Sequence, residues 1–97
     1  MDIEAGIREA FERFAAGHFD ESAERARTVL QAAPDEPRAY RVLAGVAFQA
    51  GQLEEAEAAA RRAAELDPTV PETWANLAAI LNASHRPADA EEVDTRS

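Results

Sequence analysis

Apolar residues return along this chain every three or four positions, in blocks about a dozen residues long, and each block is closed by Gly or Pro. Ile3, Ile7, Ala10, Phe11 and Phe14 share one face of a helix predicted over residues 3–16, which Gly17 stops. Ala23, Ala26, Val29 and Leu30 mark a second helix running to Ala32, with Asp20 as its expected N-cap. Pro34 and Pro37 break the pattern, and Asp35 between them is the next expected cap. A third helix, predicted over 37–50, carries Tyr40, Leu43, Ala44, Ala47 and Phe48, and Gly51 ends it. A fourth, over 53–66, carries Leu53, Ala56, Ala60, Ala63 and Leu66 and closes at Asp67-Pro68. A fifth, over 71–83, carries Trp74, Leu77, Ala78 and Leu81, with Pro71 suited to its first turn. Beyond it, His85 takes the place of a turn glycine, and residues up to Glu92 predict the start of a short sixth helix. No stretch alternates apolar and polar residues for long, so the chain reads as all-α.

Sliding the sequence by 34 residues exposes a repeat. Ala10 lands on Ala44, Phe14 on Phe48, Gly17 on Gly51, Ala26 on Ala60 and Pro34 on Pro68. One step later, Pro37 lands on Pro71, Tyr40 on Trp74, Leu43 on Leu77 and Ala44 on Ala78. The chain of 97 residues is then one domain. Its first unit spans about 3–36, its second about 37–70, and a partial third about 71–94.

Composition narrows the function classes. Nineteen acids against ten bases leave a net charge of -9. That balance argues against nucleic acid and against an anionic membrane surface, both of which need a basic face. With no cysteine, disulfides, thiolate metal sites and cysteine nucleophiles are excluded. The acidic start at Asp2 and Glu4, and the lack of a long apolar run, predict a cytoplasmic protein or a fragment of something larger.

The repeat resembles the tetratricopeptide repeat family, whose motif runs W-x2-L-G-x2-Y, then A-x3-F, then P. Trp74, Leu77, Ala78 and Leu81 carry it in the third unit; Tyr40, Leu43, Ala44, Ala56, Ala60 and Pro68 carry it in the second. The first unit matches in its second half, from Gly17 through Ala26 to Pro34, and has Gly6 and Glu9 where Tyr40 and Leu43 stand. The resemblance implies a right-handed superhelical stack of antiparallel helix pairs, five helices plus the short sixth. Small residues at Ala44, Ala56, Ala60 and Ala78 would let paired helices approach. Tyr40, Leu43, Trp74 and Leu77 would fill the space between units, which makes Trp74 an expected core residue. It also implies a non-catalytic interaction module without a cofactor, binding a peptide or partner protein on its concave helix face. Arg8, Arg38, Arg41, Phe48, Gln49, Asn76 and Asn82 are the residues that this reading places in the groove. Arginine can hold a carboxylate with two hydrogen bonds, and asparagine can bond a peptide backbone.

His18 and His85 both fall in turns, and apart from the acid-rich surroundings neither has a ligand-type partner at helical spacing for a metal site. Glu54, Glu55 and Glu57, and likewise Glu91, Glu92 and Asp94, lack the glycine and spacing of a calcium loop and read as solvated helix surface. An alternative to partner binding is self-assembly, a homodimer formed through an incompletely capped end near Trp74–Leu81.

Overall fold

Two glycines shape the hairpins. Gly17 and Gly51 have φ of 82° and 77°, the left-handed region that a Cβ disfavours. In the first turn the Gly17 N–H donates to the Phe14 carbonyl (3.0 Å) and the His18 N–H to the Arg13 carbonyl (2.8 Å). In the second, Gly51 donates to Phe48 (3.1 Å) and Gln52 to Ala47 (2.9 Å). Both are Schellman endings, which satisfy the last carbonyls of a helix while reversing the chain.

The computed structural model describes residues 2–84. They form α1 (Ile3–Ala15), α2 (Phe19–Ala32), α3 (Pro37–Gln49), α4 (Leu53–Leu66) and α5 (Pro71–Ala83), with no strand among the described residues. The predicted sixth helix and the turn at His85 lie outside them. Two caps differ from expectation. α2 begins one residue ahead of Asp20, with His18 at its N-cap making no side-chain bond, so Asp20 lies in the first turn instead. There its charge meets the positive end of the helix. Glu36, not Asp35, caps α3, accepting a hydrogen bond from the Arg38 N–H at 3.1 Å.

α1 pairs with α2 and α3 with α4, while α2 also packs on α3 and α4 on α5. α1 touches α3 and α3 touches α5, whereas α2 and α4 share no contact. A layer that stays together while its neighbour spreads is the inner layer of a curved stack, so the odd-numbered helices line the inside.

The core divides at α3. Ile7 and Ala10 of α1, Ala26 and Val29 of α2, and Ala39 and Val42 of α3 form one buried cluster. Ala44 and Ala47 of α3, Ala56 and Ala60 of α4, and Leu77, Ile80 and Leu81 of α5 form the other. Each pair buries its apolar side only by leaning on the next, as stacked repeats must. Alanines at four facing positions between α3 and α4 let the two backbones close up, which large side chains would prevent. Between α1 and α2 the counterpart of Ala56 is Ser22. It is fully buried and donates its hydroxyl to the Ala10 carbonyl at 2.7 Å. That bond satisfies a group whose burial would otherwise be unfavourable.

Two expectations about large residues need correcting. Trp74 is 38% exposed, not a core residue. Its Nε1–H donates to the Pro68 carbonyl at 2.9 Å, which draws the indole over the α4–α5 turn. Tyr40 does the same one repeat earlier, its hydroxyl donating to the Pro34 carbonyl at 3.2 Å. Val42, which the expected stripe of α3 passes over, is buried against α1 and α2. Its counterpart on α1 is Arg8, which is exposed because no described helix covers that side of α1.

Candidate functional site

Along the inner layer, positions one repeat apart line up across α1, α3 and α5: Glu4, Arg38 and Glu72; Ile7, Arg41 and Ala75; Phe11, Gly45 and Ala79; Phe14, Phe48 and Asn82. A groove of about 520 Å³ opens there. α1 supplies Phe11 and Phe14; α3 supplies Arg41, Val42, Ala44, Gly45, Phe48 and Gln49; α5 supplies Glu72, Asn76, Ala79 and Ile80.

The smallest residue makes this space possible. Gly45 sits in the middle of α3 at helical φ, and the ring edge of Phe14 rests against its bare Cα. Phe14 also packs edge to face against Phe19, with ring centroids 5.2 Å apart. Phe11 is left 40% exposed, an unusual state for so large an apolar side chain. The Arg41 guanidinium lies 5.8 Å from the centre of its ring, within cation–π range.

The charged residues of this face divide into those already engaged and those that are not. Arg38 donates to both oxygens of Glu4, at 2.8 and 2.7 Å, and again to Glu36, at 3.0 and 2.8 Å. These bonds hold the carboxyls of Glu4 and Glu36 below the usual range, in Glu36 against the opposing pull of burial. In turn, the hydrogen bonds that Arg38 donates, to Glu4 first and Glu36 second, push its pKa up. Arg38 is thus fixed by the scaffold, and Glu4 reaches it across one full repeat. At the α4–α5 turn, hydrogen bonds from the Thr69 hydroxyl and N–H lower the pKa of Asp67. By contrast, neither Arg41 nor Glu72 makes an ion pair among the described residues.

Of the residues that the sequence places in a groove, the structure brings together Arg41, Phe48, Gln49 and Asn76. Arg38 is beside them but engaged with Glu4 and Glu36. Arg8 is on the exposed side of α1, 3.7 Å from Glu12. Asn82 is exposed near the end of α5 and does not line the groove. Phe14 does line it, and the signal for that was its place one repeat before Phe48. Among the described residues no group of three His, Asp or Glu side chains is placed to hold a metal ion. No helix there is long and apolar enough to cross a membrane.

Comparison with known proteins agrees with the architecture. A family model described as tetratricopeptide repeat matches residues 8–71, and the chain belongs to that family. The chain matches no curated protein at a significant level. Proteins of this family generally mediate contacts between proteins and are generally non-catalytic.

Proposed function

We propose that this protein is a non-catalytic interaction module that binds a peptide or a partner protein in the groove between α1, α3 and α5. The observation that carries the reading is the half-exposed aromatic floor of Phe11, Phe14 and Phe48 on the inner face of the stack. Elsewhere the large apolar residues are drawn inward or, like Trp74, hydrogen-bonded to the scaffold. Here they line open space beside polar groups free to bond a ligand: Arg41, Gln49, Asn76 and Glu72. A concave apolar surface with a few convergent polar groups is what a recognition site requires. Rigid helices on three sides hold it ready, so that binding needs little reordering.

The groove is tested by affinity capture from the source's lysate with the wild type and Arg41→Glu, followed by mapping of the captured partner on the full chain. A partner retained by the wild type, lost by the variant and mapped to α1, α3 and α5 supports the reading. A partner mapped to α2 and α4 counts against it. So does light scattering that shows only self-association unaffected by the substitution, because the alternative of a self-assembling chain would then explain the exposed residues better.

A further inference from the structure

The groove is lined by one cation and one acid that make no ion pair, on different walls, although the charge of Arg41 also acts on the more distant carboxylates of Glu36 and Asp67. Arg41 is on the second turn of α3; Glu72 is on the first turn of α5. No ion pair links them to each other or to any described residue. Arg38 shares one repeat position with Glu4 and Glu72. It is turned away, held by four hydrogen bonds to Glu4 and Glu36. The Arg41 guanidinium lies over the Phe11 ring, and no described residue accepts a hydrogen bond from its N–H groups. The aromatic floor of Phe11, Phe14 and Phe48 continues from these charges toward the C-terminal ends of the same helices, with the Phe14 ring filling the space against Gly45.

From this charge arrangement we propose that the groove recognises a peptide segment of mixed charge. One carboxylate side chain pairs with Arg41, a large apolar side chain next to it packs on the floor of Phe11, Phe14 and Phe48, and the segment's Glu72 side carries no second acid. The proposal rests on the reading of the groove as a peptide-binding site and adds its selectivity. Arginine favours a carboxylate because two parallel hydrogen bonds fit its fork. Glu72 penalises a like charge brought alongside it, and a protein of net charge -9 repels a wholly acidic ligand at a distance. A single acid beside an apolar anchor escapes both penalties.

The test uses the full chain and a displayed library of random dodecapeptides, with synthetic copies of the selected peptides for affinity measurement. Selected peptides should share one Asp or Glu beside one Phe, Leu, Ile, Trp or Met. Arg41→Gln should weaken them by about tenfold or more, the scale of a lost charge-assisted hydrogen bond. Replacing the peptide acid by its amide should have the same effect on the wild type and little further effect on Arg41→Gln. A second acid placed at the Glu72 side should weaken binding to the wild type and not to Glu72→Gln. Peptides that bind the groove, as shown by loss of binding in Phe48→Ala with an unchanged melt, but are basic or indifferent to Arg41→Gln, overturn this selectivity and leave the groove reading standing. Failure to select any peptide that depends on Phe48 or Arg41 overturns both. A chain that dimerises in sedimentation and separates on Arg41→Gln assigns the groove to a second copy, which also contradicts the proposal.

Discussion

The ring of Phe14 occupies the place that a side chain at Gly45 would take. A Cβ built on Gly45 would stand 2.8 Å from Cε2 of Phe14, closer than carbon atoms tolerate. A mid-helix glycine is unfavourable by roughly 1 kcal/mol relative to alanine. In return, α1 and α3 close up and the groove keeps its depth.

Gly45→Ala therefore sets two effects against each other. The helix gains roughly 1 kcal/mol of propensity, and the Phe14 ring must move. Because the crowded atoms belong to the far end of a side chain, the ring can give way without moving α1. The expected outcome is a melt within about 1 kcal/mol of the wild type, with shifted NMR ring resonances for Phe14 and Phe19. A loss of several kcal/mol would mean that the helices themselves had been forced apart.

The turn glycines behave differently. A Cβ at Gly17 or Gly51 meets nothing within 4 Å, so only the positive φ opposes substitution. Gly17→Ala and Gly51→Ala should each lose about 1–2 kcal/mol, and by similar amounts, since the two turns share one hydrogen-bond pattern. Urea denaturation of the two variants checks this. Clearly unequal losses would show that the two endings are not equivalent.

Burial ranks the apolar residues of α5. Leu77 is 1% exposed and Trp74 38%. Leu77→Ala should lose about 2–5 kcal/mol. Trp74→Ala should lose less, roughly 1–2 kcal/mol, because much of the indole stays in water and one hydrogen bond to Pro68 goes with it. Denaturant melts that reverse this order would refute the placement of Trp74 over the α4–α5 turn.

Acid should weaken the junction of α1 with α3. Glu4 and Glu36 have folded pKa values below the ordinary 4.5 because Arg38 binds their charged forms. Groups with depressed values stabilise the fold above the unfolded pKa, and the contribution is lost as pH falls through the folded one. Urea midpoints should thus decline as pH drops below 4.5, and Arg38→Gln should flatten that decline. Salt should reduce the Glu4 part first, since that carboxylate is exposed whereas Glu36 is mostly buried. An unchanged pH profile in Arg38→Gln would contradict the role given to these pairs.

Much of this architecture can be read from single residues. Gly17, Gly51, Pro37 and Pro71 punctuate the helices for local steric reasons, so the element boundaries follow from the sequence to within a residue or so. Burial followed less well, because it depends on neighbours. Trp74 looks like an anchor by type, yet its N–H needs an acceptor, and the one it finds lies at the surface. Val42 and Arg8 share a repeat position, but only Val42 has a preceding helix pair, α1 and α2, to pack against. The inner face was legible as a set of positions. Which of its charges were spoken for was not, because that depends on side-chain pairing across one repeat. The spacing of Glu4, Arg38 and Glu72 was the clue to it.

Amide chemical-shift mapping on the full chain, titrated with a synthetic peptide selected against it, tests the groove most directly. The shifts should concentrate at Phe11, Arg41, Gly45, Phe48 and Asn76, and shrink severalfold with Arg41→Gln at the same sub-saturating peptide concentration. Shifts confined to the outer helices α2 and α4, and indifferent to that substitution, would contradict the account.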